Sequence, residues 1–371
     1  MALLKDLIVE INKRNSEKKD LPLLGVNKDK EFMPSVANVI GTDLSNYKIV
    51  KKRQFATNLM HVDRDELVPV SMLKDYDEAL ISPAYNVFQV KNEKIVLPEY
   101  LLLCFKRSEF DRCAWFYSGS SIRGNLDYKK FQEIDIPLPT IDKQKQIVDD
   151  YRTIQEKINI KEAINNNLNE LVFAKYKLFQ NSNVPMKTYK LGDVATTVLG
   201  GTPSRDIPDY WDGNISWINS GKINDFRIID ASEKITELGL KKSATVLMPK
   251  HTVVLAITGA TLGQFSILLI DSCANQSVIG ILENERLPYE YIYPFIRFEL
   301  FELMRKQTGG AQMHINKQNV DDMLINVPEH DKLLNWAYEV RPYYSEIENN
   351  CFEIKNLKVL SELIVSKLAQ Q

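Results

Sequence analysis

The sequence predicts an α+β protein: two α/β domains in a pseudo-two-fold arrangement, separated by a long antiparallel two-helix coiled coil. Three observations carry that expectation. The chain repeats itself: "FQEIDIPLPTIDKQKQIV" at 131–148 returns as "VDDMLINVPEHDKLLNWA" at 320–337. Pro139 and Pro328 stand 328 − 139 = 189 positions apart, about half of the 371 residues. At that offset, without a gap, Leu126 falls on Ile315, Ile134 on Met323, Ile136 on Ile325 and Asp142-Lys143 on Asp331-Lys332. Each copy then closes in a long run with apolar residues at 4-3 spacing, the seam of a coiled coil. The stretches before those runs are rich in short β-forming segments.

The elements follow in order, with boundaries at 1–140 for the first domain, 141–185 for the first long helix and linker, 186–330 for the second domain and 331–371 for the second long helix. The opening "MALLKDLIVEINKRN" reads as an amphipathic helix, because Lys5, Asp6 and Glu10 interrupt it too early for a signal peptide. From Tyr47 to Val90, "YKIVKKRQFATNLM", "LVPVSML" and "ALISPAYNVFQV" alternate with turns as strands do. "LPEYLLLCFKRSEFDRCAWFY", 97–117, has helical spacing behind an N-terminal proline. From Ile141 to Phe179 there is neither Gly nor Pro. Ile147, Tyr151, Ile154 and Ile158 mark the seam, and Leu168, Leu171 and Leu178 resume it after a polar "NNN". A helix of that length spans roughly 60 Å. "QNSNVP" is the linker. In the second copy, "VVLAITGATLGQFSILLI", 253–270, reads as two buried strands joined by a Gly-rich turn and not as a membrane span. A helix is expected from about Pro288 to Lys306. The closing helix carries Val340, Tyr344, Ile347, Cys351 and Ile354, then Leu357, Leu360, Ile364 and Leu368, with Pro342 expected to kink it.

Composition excludes some classes of function. With 44% hydrophobic and 26% charged residues the chain has the make-up of a globular protein, and its net charge of −2 gives no global pull on a polyanion. Cys104, Cys113, Cys273 and Cys351 form no CxxC and pair with no histidine at metal-ligand spacing, so they read as reduced, buried thiols of a cytosolic protein. There is no G-x-x-x-x-G-K-[ST] loop, no G-x-G-x-x-G and no Asn-Pro-Pro-aromatic run. His61, His251, His314 and His330 are scattered. Asp209 with "EIK" at 353–355 imitates a nuclease motif, but surface charge explains it better. The repeat is strong where each domain meets its helix and weak in the bodies, where "KKRQFATNLMHVDRDELVPV" finds no counterpart in "TPSRDIPDYWDGNISWINSG". A kept scaffold with diverged working surfaces suits a protein that holds two dissimilar targets.

"LGDVATTVLGGTPSRDIPDYWDGNISWINSGKIND", 191–225, resembles the specificity subunits of type I restriction-modification systems. A Gly-Gly-Thr-Pro-Ser run, then Tyr-Trp, then Ile-x-Trp-Ile, is a familiar opening of their target-recognition domains. "ITGATLGQ", "ANQSVIGI" and "GGAQMHINKQNVDDMLINVP" also look like that family. In the first half, "FATNLMHVDRD", "ISPAYNVFQV" and "AWFYSGSSIRGNLDYKKFQEIDIPLP" resemble another variety of the same domain, so the likeness covers nearly the whole chain. The second helix entry departs from it: "EHDKLLNWAYEVRP" lacks the Gln-rich start seen in "DKQKQIV".

The resemblance implies two target-recognition domains that read a split, asymmetric site on double-stranded DNA. It implies a non-catalytic cytoplasmic subunit that recruits two methyltransferase subunits and, in the full complex, two restriction subunits. S-adenosylmethionine, ATP and magnesium are then expected in those partners, with no cofactor in this chain and no membrane partner. The alternatives are a non-reading assembly scaffold and a stand-alone DNA-modifying enzyme. Candidate DNA contacts in the first domain are Lys51, Lys52, Arg53 and Arg64, with Arg123 near the helix entry. In the second they are Thr202, Ser204, Arg205, Lys222 and Lys317, with Gly200 and Gly201 letting backbone approach a phosphate. Trp211 and Trp217 are expected as core fillers.

Overall fold

The computed structural model describes residues 1–36, 41–60, 62–119, 126–305 and 314–369. They form two compact units: Met1–Ile158 with Leu357–Gln371, and Asn159–Asn356. Each unit holds one β-rich body and a share of both long helices.

The first unit opens with β1 (Ala2–Leu3), one helical turn α1 (Leu4–Leu7) and β2 (Ile8–Ile11). This corrects the expected amphipathic helix. Ile8, Val9 and Ile11 are β-branched, which disfavours helix and suits a pleated surface. Then come β3 (Leu23–Val26), β4 (Phe32–Pro34), β5 (Lys48–Lys51), β6 (Phe55–Thr57), the turn α2 (Val62–Asp65), β7 (Val70–Met72), β8 (Glu78–Ile81) and β9 (Asn86–Val90). They make two four-stranded sheets, ordered β2-β9-β6-β7 and β4-β3-β8-β5. The single predicted helix of 97–117 is two, α3 (Pro98–Phe105) and α4 (Ser108–Ser118). The short α5 (Tyr128–Gln132) and β10 (Asp135–Ile136) lead into the long α6 (Ile141–Gln180). Phe55, Phe88, Phe105, Phe110 and Phe131 pack face and edge in the core.

The second unit repeats this plan. After β11 (Met186–Lys190) come α7 (Leu191–Val194), β12 (Thr196–Leu199), β13 (Trp211–Ile218), β14 (Glu233–Ile235), α8 (Glu237–Lys241), β15 (Val253–Ala256), β16 (Phe265–Ile267), β17 (Cys273–Ala274) and β18 (Val278–Leu282). Next are α9 (Tyr289–Arg305), α10 (Lys317–Asp321), β19 (Leu324–Pro328) and the long α11 (His330–Ser366). The order β12-β18-β15-β16 copies β2-β9-β6-β7 strand for strand. In the other sheet β13 runs parallel to β17 as β3 does to β8, and an antiparallel bridge from Met248 to Ser272 stands where β5 pairs with β8. The bodies whose sequences do not align therefore share a topology. As expected, 253–270 is two strands, joined through Gly259 and Gly263, both at positive φ. Among the described residues no helix is long and apolar enough to cross a membrane.

Body and long helix are welded in the same way in both units. β1 pairs with β10 and β11 with β19, both antiparallel. Leu4 N–H donates to Ile134 O at 3.0 Å, and Leu191 N–H to Met323 O at 2.8 Å. The long helices then start at Ile141 and His330, the offset of the sequence repeat. The missing glutamine of the second entry has a counterpart in packing. In the first unit buried Gln144 donates to Ile95 O and Pro139 O and accepts from Leu97 N–H. Its equivalent, Leu333, is buried in an apolar core instead.

The two long helices pair antiparallel within each unit. In the first, Gln155 Nε2 donates to Ser361 Oγ at 3.0 Å, and Ile147 shares a core with Val365 and Leu368. In the second, Lys161 meets Asn350 and Glu353, Asn165 meets Asn350 and Cys351, and Lys175 meets Glu339. The predicted seam is correct up to Ile158 and Ile354, and beyond them it holds at Leu168, Ile364 and Leu368, which pack against the cores, but not at three other leucines. Leu171 and Leu178 are exposed, as is Leu360, while Val172, Tyr176, Ser361 and Val365 are buried. The 4-3 rhythm runs on through polar positions, Lys161 and Asn165 on α6 and Ser361 on α11, so following the leucines gives a stripe one residue out of phase. Pro342 does not break α11, which continues through it. It lies exposed, where a carbonyl freed one turn earlier can meet water.

Asn165 and Asn350 are buried and bonded to each other at 3.0 Å. Asn350→Leu leaves the buried Asn165 Oδ1 without the donor that it has in Asn350 Nδ2 and is expected to cost about 1–3 kcal/mol in denaturant unfolding. The double change Asn165→Leu, Asn350→Leu is expected to recover most of that loss, because no buried amide is then stranded.

Candidate nucleic-acid interface

The second unit presents its candidate residues on one braced loop. Gly200 and Gly201 leave the end of β12 and pass against backbone. A Cβ on Gly200 would stand 2.2 Å from Asn275 O, and one on Gly201 2.6 Å from Ala244 C. Their N–H groups donate to Val278 O and Ala274 O, at 2.9 and 2.8 Å. Both N–H groups are used inside the fold, and only glycine fits the approach.

Beyond them the loop turns outward. Thr202 Oγ1 donates to Gln276 Oε1 at 2.6 Å. Two indoles tie the loop down: Trp217 Nε1 donates to Gly201 O at 3.1 Å and Trp211 Nε1 to Ser204 O at 3.0 Å. Trp217 is buried, as expected of a filler, and Trp211 meets it edge to face at 5.3 Å. Trp211 has a further role: the Arg205 guanidinium lies 3.6 Å from its ring centre. Arg205 also pairs with Glu233 on β14 at 2.6 Å. A bulge in β13 sets this geometry, since Trp211 and Ile215 both oppose Ile235 and Asp212 takes a φ of 60°.

Lys222 and Lys317 do not join this cluster. Lys222 is held by Asp225 at 2.8 Å and Asp230 at 2.5 Å. Burial alone would lower its pKa, but the two carboxylates outweigh that and raise it. Lys317 pairs with Asp321, whose other oxygen accepts from Thr197 Oγ1, so it belongs to the weld of α10 against β12. Of the nuclease-like trio, Glu353 pairs with Lys161 and Lys355 with Asp230. Among the described residues no group of three or more His, Cys, Asp or Glu could hold a metal ion.

In the first unit the "KKR" stretch forms the turn between β5 and β6. Arg53 takes a φ of 67° and its N–H donates to Leu73 O; it pairs with Glu93 and Glu99. The same turn in the second unit is "PKH". There His251 has a φ of 71°, its N–H donates to Leu268 O, and its ring lies 3.7 Å from Glu283 and stacks on Tyr289 at 4.3 Å. Arg53 thus occupies a repeated brace between the sheet and the helix behind it. Lys51 pairs with Glu78 at 3.4 Å, and Lys52 is exposed. Arg64 pairs with Asp65, whose carboxyl is pulled down to about 2 by Arg64 and then by Lys28. Arg123 lies outside the described residues.

Motif reading passed over other cations. Lys74 and Lys106 border a cavity of 210 Å³ in the first unit, and neither has an ion pair among the described residues. Burial, then the Lys106 charge, lower the Lys74 pKa, and the nearby Asp75, Glu31 and Glu99 carboxylates oppose them. In the second unit Lys234, Lys241 and Lys242 are exposed and likewise without an ion pair among the described residues, on the stretch from β14 through α8 that leads to Ala244 and Thr245, whose backbone packs against Gly201.

Residues 8–170 and 183–333 match the type I restriction modification DNA specificity domain, once on each copy. The chain is similar to the type I restriction enzyme EcoR124I/EcoR124II specificity subunit of Escherichia coli, 29% identical over 157 residues, 40% of this chain and 38% of that one. It is also similar to the type I restriction enzyme MjaIX specificity subunit of Methanocaldococcus jannaschii, 22% identical over 303 residues, 74% of this chain and 68% of that one. Among solved structures, the S subunit of a type I restriction-modification system from M. genitalium matches with a TM-score of 0.54 at 12% identity, over 99% of this chain and 95% of that one. At that identity the likeness concerns the fold.

Gly201→Ala is expected to lower unfolding stability by about 1–3 kcal/mol through overpacking against Ala244 and Thr245. Thr202→Ala, on the exposed side of the same loop, is expected to change stability by less than about 0.5 kcal/mol. Equal losses in thermal or denaturant unfolding would contradict this division of the loop.

Proposed function

The chain belongs to the type I restriction modification DNA specificity family, and on that premise we propose that it reads an asymmetric, two-part DNA site for a methyltransferase and restriction complex. One observation carries the reading: two bodies with the same strand order hang from the same welded helix entry, yet expose unlike side chains. A duplicated frame with diverged surfaces suits two unlike half-sites. An assembly scaffold has no need of that divergence.

In this reading each body holds phosphates with exposed lysines and reads base edges with a few polar groups. The chain itself does no chemistry. It recruits two methyltransferase subunits and two restriction subunits in the cytoplasm, and S-adenosylmethionine, ATP and magnesium serve those partners. The near-neutral charge, −2 overall, fits a subunit whose affinity for DNA comes largely from the assembled complex.

Genome-wide mapping of methylation in a host that expresses the chain with its partner subunits is expected to give one motif: two dissimilar half-sites around an unread spacer. Changing that spacer by a single base pair is expected to weaken binding of the complex strongly, since half-site spacing is a geometric constraint. Binding without sequence preference would leave the scaffold alternative. Methyl transfer or ATP turnover by the purified chain alone would leave the stand-alone enzyme.

A further inference from the structure

We propose that Arg205 and Glu233 together read the edge of one G·C base pair in the half-site taken by the second unit, an assignment that rests on the DNA recognition proposed above. The arginine is organised before any partner arrives. Its loop is held by two internal backbone bonds and two indole N–H bonds. Its guanidinium lies over the Trp211 ring, 3.6 Å from the ring centre. The side chain is still 54% exposed, and among the described residues only Glu233 pairs with it. Donors of its fork therefore remain for an incoming partner.

Glu233 decides what kind of group the arginine can take. With a carboxylate 2.6 Å from the guanidinium, an incoming phosphate meets a negative charge beside the positive one. A neutral base edge meets no such repulsion. Arginine and glutamate side by side present donor, donor, acceptor. The major-groove edge of a G·C pair presents guanine N7 and O6 as acceptors, then the cytosine N4 amino group as a donor. The two patterns are complementary. Phosphate contacts fall instead to Lys234, Lys241 and Lys242, which flank the loop and carry no carboxylate partner among the described residues.

The test uses the complex with its partner subunits, methylation mapping of its motif, and binding titrations against salt. Arg205→Ala, Arg205→Lys and Glu233→Gln are compared. Arg205→Ala is expected to relax one G·C position of one half-site by about tenfold to a hundredfold, leaving the other half-site and the salt dependence unchanged. Arg205→Lys is expected to relax the same position, since a point charge cannot replace the fork. Glu233→Gln is expected to weaken discrimination there as well. Its thermal unfolding, and that of Arg205→Lys, serves as the control for a change that merely unfolds the loop. Three results overturn the assignment: full rescue by lysine, a salt slope reduced by about one with uniform weakening of all sites, or unchanged preference at every position. A wild-type complex that methylates no two-part motif overturns instead the reading on which the assignment rests.

Discussion

A two-strand weld is the constraint on which each unit depends. β1 on β10, and β11 on β19, close the body at the point where the chain enters its long helix. A single helical turn follows the first strand of each pair, and its first N–H is bonded back beside the second strand. This fixes where α6 and α11 begin, and so which residues of each helix lie at its seam. The bodies are free to vary in sequence because they are attached at one conserved geometry. Burial behind the weld supplies the cohesion: an aromatic cluster around Phe105 in one unit, and Tyr176, Tyr291 and Trp336 in the other.

Much of this frame was legible because its signals are local or periodic. The offset repeat locates both helix entries, and the 4-3 spacing locates the first half of each seam. The opening segment misled because its apolar spacing suits a short strand as well as a helix, and the choice is made by pairing with β9, distant in sequence. The seam slipped after Ile158 for a different reason. Polar residues can occupy seam positions when they bond across it, as Asn165 does with Asn350 and Cys351. A pattern search that follows only leucines passes over them. That the bodies are two copies of one domain was expected from the repeat and the resemblance, but the strand-by-strand match was not legible where the two sequences do not align. "KKR" matches "PKH" only once both turns are seen to take the same φ and the same backbone bond.

The candidate site was legible in its motif and not in its roles. The Gly-Gly-Thr-Pro-Ser-Arg run does form a defined loop, but its glycines serve packing and its arginine is set by two tryptophans and a glutamate. Most of the basic residues picked by clustering in sequence prove to be paired: Arg53 with Glu93, Arg64 with Asp65, Lys222 with Asp230 and Lys317 with Asp321. Such pairs shape a surface and add little attraction for a polyanion. A lysine becomes a candidate contact when nothing nearby neutralises it, and that is a property of the folded surface. Lys106, Lys241 and Lys242 carry no ion pair among the described residues and stand in no recognisable motif.

The central claim is that each body reads its own half-site on a frame common to both. Replacing residues 191–322 with the matching body of another family member, and mapping the motif methylated by the chimeric complex, tests it most directly. The account predicts that one half of the motif changes to the donor's half while the other half stays as in the parent. A motif in which both halves change, or neither does, would contradict it.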